Sequence, residues 1–346
     1  MTLDQLSIFA VYSAMAVYAL AFVAYAIDLA RRSAAADAAT AEAPRELVGA
    51  GAGAAAVAPS AGAAGAARAG AGSSGTGADA GSGASETAPR RGTPALRVGV
   101  ALTVIAWLLH LGADLLRGFA AGRVPWANMY EFALTGTLIV TTVFLLVITV
   151  SRKTDLRFLG TFITGLVLVL LGVATTNFYV SVVPLPPALQ SVWLVIHVFV
   201  ATASVGFLAL GFALSLAQLL QFRREELIAA GRTAKLRFLA TLPTADQLET
   251  LAYRVNIVGF ILWTFTLMAG AVWAEKAWGR YWGWDTKEVW TFIIWVVYAG
   301  YIHARATRGW RGNRSAWLSI IGFTTVLFNF TVVNLFFKGL HAYSGL

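Results

Sequence analysis

The sequence contains no cysteine, and charged residues make up only 12% of its 346 residues. Without cysteine the chain can form no disulfide and perform no thiol chemistry, so any thiol it acts on must belong to another molecule. A hydrophobic content of 58% with so little charge is too apolar for an ordinary soluble protein. The composition therefore predicts an integral membrane protein with the lipid bilayer as its surroundings.

Acidic residues are fewer than basic ones, which gives a formal charge of +9. The lysines and arginines form no dense basic surface; they are scattered at the ends of apolar stretches, where they act as topology signals. Nucleic acid is therefore not expected as a partner.

Eight apolar stretches are long enough to cross a bilayer core as helices, which takes about 20 residues. They fall near residues 6–28, 98–118, 130–150, 158–177, 192–220, 251–273, 289–305 and 316–337. We therefore expect an all-α fold, a polytopic bundle of about eight transmembrane helices. The first stretch exceeds the apolar core of a signal peptide and is followed by Arg31 and Arg32, so residues 1–32 are interpreted as a retained anchor.

Aromatic residues and hydrophobic periodicity are missing from residues 33–96, which are rich in alanine and glycine. Such a segment cannot bury a core, so it is predicted to be a disordered cytoplasmic linker before a transmembrane core of residues 97–346. When the connections between eight spans alternate sides, 20 of the 26 lysines and arginines fall on one side. The positive-inside rule then places both termini and the loop 273–290 outside the cytoplasm.

Five of the twelve tryptophans lie in the segment 273–290. Large flat indoles on a loop that contains Gly279 and Gly283 can form a platform for a planar apolar ligand, because glycine lets the backbone approach a ligand closely. An interfacial aromatic belt is the alternative explanation, mainly for the first and last of the five. The predicted platform consists of Trp273, Trp278, Trp282, Trp284 and Trp290, with Asp285 at its edge.

Each of the four histidines lies inside or at the end of a predicted span. His197 and His341 are predicted on the side of the tryptophan-rich loop, where two facing imidazoles would supply the axial ligands of a haem. His110 and His303 lie deeper and can share a buried site only if a tilted ring bridges their different depths. Asp114, four residues after His110, is predicted to orient its imidazole. The alternative for each deep histidine is a hydrogen bond between helices.

Polar residues at predicted helix ends have two interpretations. Asn128 and Glu131, with Tyr130 between them, stand at a helix start, where capping is the ordinary role of Asn and Glu. Three cations near the loop are either solvated charges or partners of haem propionates: Lys276, Arg280 and Lys287.

The segment 278–290, Trp-Gly-Arg-Tyr-Trp-Gly-Trp-Asp-Thr-Lys-Glu-Val-Trp, resembles the WWD signature of haem-handling proteins. Its Lys-Glu-x-Trp ending is similar to the CcsA/ResC branch, the membrane subunit of the system II cytochrome c synthase. Thr286, where that family commonly has proline, and Ala342, where serine is more usual, depart from the pattern. From about residue 98 to the end, further motifs resemble the same branch in the same order: Asn128-Met-Tyr-Glu131, Gln190-Ser-Val-Trp193-Leu-Val-Ile-His197, His303-Ala-Arg and Leu340-His341-Ala-Tyr343.

The resemblance implies that b-type haem is both ligand and substrate. It implies haem binding by His197 and His341 at an external site, and by His110 and His303 within a bacterial cytoplasmic (inner) membrane. Haem would enter from the cytoplasmic side and be joined outside, through thioether bonds, to the CxxCH cysteines of apocytochrome c, with no catalytic residue beyond those that position it. The residues that contact haem would be the platform tryptophans with Asp285, Asn128, Tyr130 and Glu131.

The resemblance also implies three kinds of partner: a ResB-type subunit that completes a holocytochrome c synthase (haem lyase), apocytochrome c, and separate thiol-reducing proteins. One alternative is a haem chaperone or exporter of the CcmC/CcmF type, against which the Lys287-Glu288-x-Trp290 ending argues. Another alternative is a transporter or channel for a non-haem substrate, with an incidental aromatic belt.

Overall fold

The computed structural model describes residues 1–51, 93–151, 154–185, 187–234, 236–307, 309–337 and 339–341, with side chains through residue 35 in the first range. Within these ranges the chain is helical and contains no strand. The helices are α1 Leu3–Gly51, α2 Pro94–Ala121, α3 Met129–Val150, α4 Gly160–Asn177, α5 Val192–Ala229, α6 Ala245–Trp278, α7 Thr286–Ala306, α8 Asn313–Phe330 and α9 Val332–Phe336, with short 3-10 turns at Arg157–Leu159, Pro187–Leu189 and Arg237–Thr241.

Seven helical segments of the described chain are long and apolar enough to cross a membrane: α1 to α6, and α8 together with α9. The protein is therefore a multi-pass helical membrane protein, as predicted. The predicted span 289–305 corresponds to α7, which is not among the seven. Its tryptophans, tyrosines and terminal charges lower its hydropathy.

Helix α7 nevertheless runs antiparallel to α6 along the bundle. Near its middle, Trp295 Nε1 donates to Thr264 Oγ1 at 3.0 Å, and near its end Arg305 Nε lies 2.5 Å from Glu249 Oε1 at the start of α6. Its 21 residues extend about 32 Å at 1.5 Å per residue, which matches the hydrocarbon thickness of a bilayer. Eight helical passes therefore run along the described bundle, although only seven are apolar enough by composition.

Helix α1 is built into the bundle rather than being a separate anchor. Ser7 Oγ donates to the Ala113 carbonyl at 2.8 Å, and the Tyr25 hydroxyl lies 3.1 Å from Thr103 Oγ1. The helical backbone continues through Gly51, past the predicted start of the linker at residue 33, and α2 begins at Pro94. Of the predicted linker 33–96, residues 52–92 lie outside the described residues, so their disorder stays a prediction.

Helices α5 and α6 cross closely where glycine leaves room. Ser204 Oγ donates to the Gly259 carbonyl at 2.7 Å, and a Cβ at Gly259 would lie 2.5 Å from Leu208 Cδ2.

We expect Gly259→Ala to lower the free energy of unfolding by about 1–3 kcal/mol through overpacking, measured as a lower melting temperature in detergent. The matched control is Gly112→Ala in α2, where a Cβ meets no atom within 4 Å. Because alanine favours helix by about 1 kcal/mol over glycine, the control should melt no lower; equal losses would contradict the close crossing.

Candidate functional site

The tryptophan-rich loop joins α6 to α7 at the end of the bundle where α2 and α4 end and where α3 and α5 begin, called here the site end. Gly279 ends α6 in the left-handed conformation, with φ of 71°. Glu288, buried in the first turn of α7, accepts from the Gly283 amide at 2.8 Å and from the Asp285 amide at 3.0 Å. Asp285 caps α7 as half of a capping box with Glu288. These bonds hold the loop against α7, so its side chains have defined positions.

An aromatic cluster at the site end brings together the two histidines predicted for external haem binding. The His197 ring stacks on Trp273, with centroids 5.8 Å apart and planes 17° apart. The His341 ring meets the same Trp273 edge-on at 5.4 Å and Trp278 at 4.8 Å. His197 comes from α5 and His341 from the segment after α9, so the chain's fold, not local sequence, places both beside one indole.

Each of these histidines has one ring nitrogen occupied by an acceptor. His197 Nδ1 lies 3.0 Å from the Thr266 carbonyl, and His341 Nδ1 lies 2.6 Å from Asp285 Oδ2. The hydrogen bond from His341 holds the pKa of Asp285 below its usual range, so this carboxylate is ionised and can only accept. Both Nδ1 atoms therefore donate, so Nε2 is the nitrogen through which each ring would bind a metal, the usual arrangement of metal-binding histidines.

A cavity of about 220 Å³ lies beside these rings and is lined by residues of helices α3 to α8. Its lining is largely apolar and includes His197, Trp273 and His341. A second cavity of about 80 Å³ is lined by the same three residues and by Trp282. The predicted external pair therefore faces shared space lined by aromatic side chains, as a flat apolar ligand requires.

The predicted tryptophan platform divides into two groups. Trp273, Trp278 and Trp282 lie at the two cavities or against the His341 ring. Trp284 is 73% exposed, has a positive φ of 59° and meets Trp282 edge-on with ring centroids 5.8 Å apart. Trp290 packs on Phe328 of α8 with ring centroids 4.3 Å apart and lines neither described cavity. The described contacts place three of the five indoles at the cavities or against the His341 ring, and haem contact by Trp284 and Trp290 stays a prediction.

The Asn-Met-Tyr-Glu motif also divides. Asn128 caps α3, accepting from the Glu131 amide at 2.9 Å, and lines the larger cavity. Glu131 is fully buried, but its oxygens are occupied by Arg117 at 3.1 Å and Arg123 at 2.7 Å. The Arg117 guanidinium lies over the Tyr130 ring, with Cζ 5.3 Å from the centroid of that ring. Among the described contacts, Glu131 and Tyr130 thus stabilise the start of α3 and line neither cavity, and their contact with haem stays a prediction.

Among the described contacts, none joins the predicted deep pair, His110 and His303. His110 is buried, with Nε2 3.0 Å from the Leu134 carbonyl and Nδ1 3.4 Å from the Tyr18 hydroxyl. His303 is exposed on α7, about 26 Å along its helix from the site end, whereas His110 is about 17 Å from that end along α2. The two histidines thus lie at different depths along their helices, and haem binding by this pair stays a prediction.

The position predicted for Asp114 is also corrected. Asp114 accepts from Thr135 Oγ1 at 2.7 Å, and both described contacts of the His110 ring nitrogens go elsewhere. Asp114 and His110 therefore lie on the same face of α2, but no described hydrogen bond joins them.

Of the three loop cations, only Lys287 lines the cavities. Its Nζ donates to the Asn329 carbonyl at 3.0 Å and to Asn334 Oδ1 at 2.5 Å. Lys276 stands on the surface with its side chain 59% exposed, 3.0 Å from Glu275, and Arg280 lies 3.6 Å from Glu288. A propionate partner inside the cavity is therefore available from Lys287 alone among the three.

Several residues of the site were not identified from the sequence. Thr266 acts through its backbone carbonyl, which no side-chain pattern reveals. Asn329 and Asn334 could have been identified from the sequence, since two asparagines near the end of an apolar span need polar partners. Tyr343 of the C-terminal motif lies outside the described residues.

The chain is similar to known proteins in sequence and in fold. A family model described as Cytochrome C assembly protein matches residues 126–341. The chain is 36% identical over 259 residues to the cytochrome c biogenesis protein CcsA of Parasynechococcus marenigrum (strain WH8102), covering 70% of this chain and 85% of that protein. It is 34% identical over 269 residues to CcsA of Guillardia theta, covering 72% of this chain and 86% of that protein.

A solved structure of the cytochrome c haem lyase CcmF is similar with a TM-score of 0.56 and 17% sequence identity, over 95% of this chain and 47% of that chain. At this identity the likeness shows the fold alone. Both histidines of the aromatic cluster, His197 and His341, lie within the residues that the family model matches. The chain therefore belongs to the CcsA family of cytochrome c assembly proteins, multi-pass membrane proteins of cytochrome c biogenesis.

Proposed function

We propose that this protein binds haem as a substrate between Nε2 of His197 and Nε2 of His341 and presents it for attachment to apocytochrome c. The observation that carries the proposal is the shared environment of the two imidazoles: both contact Trp273, both line the same two cavities, and each has its Nδ1 occupied. In this role the protein is the membrane subunit of a system II cytochrome c synthase that acts with a ResB-type partner.

The chemistry of the site fits b-type haem. An apolar, aromatic lining matches the faces of the macrocycle, two free imidazole nitrogens match its iron, and Lys287 offers a cation for its acidic edge. Two imidazoles fill both axial positions, which keeps oxygen from the iron. Since the chain has no cysteine, both sulfurs of the thioether bonds come from the apocytochrome, and separate proteins keep those thiols reduced.

The proposed orientation places the site end outside the cytoplasm of a bacterial inner membrane, following the distribution of basic residues. Tyr281 and Trp284, 63% and 73% exposed on the loop, then face the compartment that holds the apocytochrome. Exposed aromatic side chains of this kind suit contact with a protein partner. Haem comes from the cytoplasmic side and ends at the His197–His341 pair.

The first test is an absorption spectrum of the purified protein after expression with an ample haem supply. We expect a Soret band and the sharp visible bands of six-coordinate, low-spin haem on reduction. No Soret band under these conditions would favour a transporter of a non-haem substrate. Co-expression with a ResB-type subunit and an apocytochrome reporter separates the remaining alternative: a haem chaperone or exporter that delivers to a different carrier binds haem but leaves the reporter without covalent haem.

A further inference from the structure

Part of the larger cavity is lined by hydrogen-bond donors that lack acceptors. Trp126 Nε1 and Asn128 Nδ2 are buried, and no hydrogen-bond partner for either lies in the described chain; both residues line the cavity. A buried donor without a partner costs about 1–3 kcal/mol. Two such donors in one apolar cavity indicate that an acceptor belonging to a ligand completes them.

The direction of the Asn128 amide is fixed by capping. Its Oδ1 accepts from the Glu131 amide at 2.9 Å, so Nδ2 is the end that remains free. Asn128 is only 5% exposed, which excludes bulk water as the routine partner of this donor. The same residue therefore caps α3 with one atom and offers a donor with the other.

Lys287 adds an amine to the lining of the same cavity, and a bound anion would favour its charged form. Its Nζ has two neutral acceptors, Asn329 and Asn334, which leaves one of its three N–H groups unused. Asn334 Nδ2 in turn lies 3.3 Å from Met129 Sδ, next to Asn128, so a single side chain links Lys287 to the start of α3. Among described residues no carboxylate forms an ion pair with Lys287, because the nearby Asp285 is taken by His341. A buried ammonium of this kind is stabilised by an anion.

We propose that Trp126, Asn128 and Lys287 form a carboxylate-binding subsite within the larger cavity, which, resting on the proposed function, receives the propionates of haem. Charge-assisted hydrogen bonds from an ammonium, an amide and an indole suit a carboxylate, which only accepts. Both propionates lie along one edge of the macrocycle. Holding that edge at α3 and α7 directs the two vinyl groups, which lie on the other two pyrrole rings, away from the subsite, so the subsite sets the orientation in which haem is offered.

The test compares metal-free protoporphyrin IX with its dimethyl ester, which lacks the two negative charges. Affinities for the purified full-length protein are measured by quenching of tryptophan fluorescence. We expect the wild type to bind the diacid at least about tenfold more tightly, the gain of one hydrogen bond to a charged group. Lys287→Met and Asn128→Ser should each reduce this preference below about threefold while leaving the affinity for the ester unchanged. Serine keeps an oxygen that can cap α3.

Two variants serve as controls. Lys276→Met removes an exposed loop lysine that lines neither described cavity and should keep the full preference. Trp126→Phe removes only the indole N–H, so a reduced preference in a well-folded variant supports the subsite even if Asn128→Ser fails to fold. Equal binding of both porphyrins by the wild type, binding of neither, or a preference that persists in all three subsite variants would overturn the proposal.

The same probe keeps the two proposals distinguishable. Metal-free porphyrin forms no iron–imidazole bond, so His197→Gly should retain the preference for the diacid. If His197 and His341 turned out not to ligate iron, this measurement would still report on the subsite. If iron ligation held but the preference was absent, only the subsite would be lost.

Discussion

Replacing His197 or His341 with glycine is expected to abolish covalent haem attachment to a c-type apocytochrome and to remove the low-spin Soret spectrum of the purified protein. In the proposed site two histidines ligate the haem iron, and each variant removes one of them. Glycine also leaves a space the size of the lost ring, so added imidazole should enter it and restore part of both signals. The measurement is haem staining of the cytochrome product together with the absorption spectrum, with and without imidazole.

Two further variants bracket this result. His303→Gly alters an exposed ring on α7 that lines neither described cavity, so it should keep the spectrum of the external site. Asp285→Asn keeps a residue that caps α7 but replaces the charged acceptor of His341, and should weaken haem binding by about 10–100-fold, the usual effect of changing a residue behind a metal ligand. Full maturation in both the His197 and His341 variants would contradict axial ligation by this pair.

The helical passes could be predicted from the sequence because their signal is local. A run of apolar residues of sufficient length identifies a span wherever it packs, and α2 to α6 overlap the predicted stretches. The ends were less predictable: α5 runs 38 residues, Val192–Ala229, beyond the apolar stretch 192–220. Polar residues continue the helix outside the membrane core, where hydropathy gives no boundary.

The candidate site was predictable as a set of residue types and only partly as a geometry. His197 and His341 were identified because histidine at a span end is costly and needs a use. The packing partners of Trp290 and Glu131 could not be predicted, because their neighbours in sequence do not determine them. Phe328 and Arg117 come from other helices, and only the packed bundle shows that they take up these side chains.

The buried guanidinium of Arg117 forms an ion pair with Glu131. Replacing Arg117 is the single change from which we expect the largest loss of stability. Arg117 is fully buried and joins three parts of the chain: it donates to Glu131 at 3.1 Å, to Asp4 of α1 at 2.5 Å, and to the Val180 carbonyl after α4 at 2.7 Å. Removing one partner from a buried ion pair leaves uncompensated charge in a low-dielectric interior. These bonds hold the site end together at the helix termini that carry Asn128 and Trp126.

Arg117→Met is therefore expected to lower the free energy of unfolding by about 3–5 kcal/mol, measured as a large fall in melting temperature in detergent. Arg117→Lys should rescue little, because an ammonium cannot reproduce a planar fork that contacts three acceptors. The matched control is Arg157→Met, which breaks an ion pair with Asp155 whose side chains are 30% and 39% exposed, and should cost at most about 1 kcal/mol. In the Arg117 variant Arg123 still pairs with Glu131 at 2.7 Å, so part of the site end stays in place. We therefore expect this variant to bind haem weakly rather than not at all. A melting temperature equal to that of the control would show that the cluster does not hold the site end together.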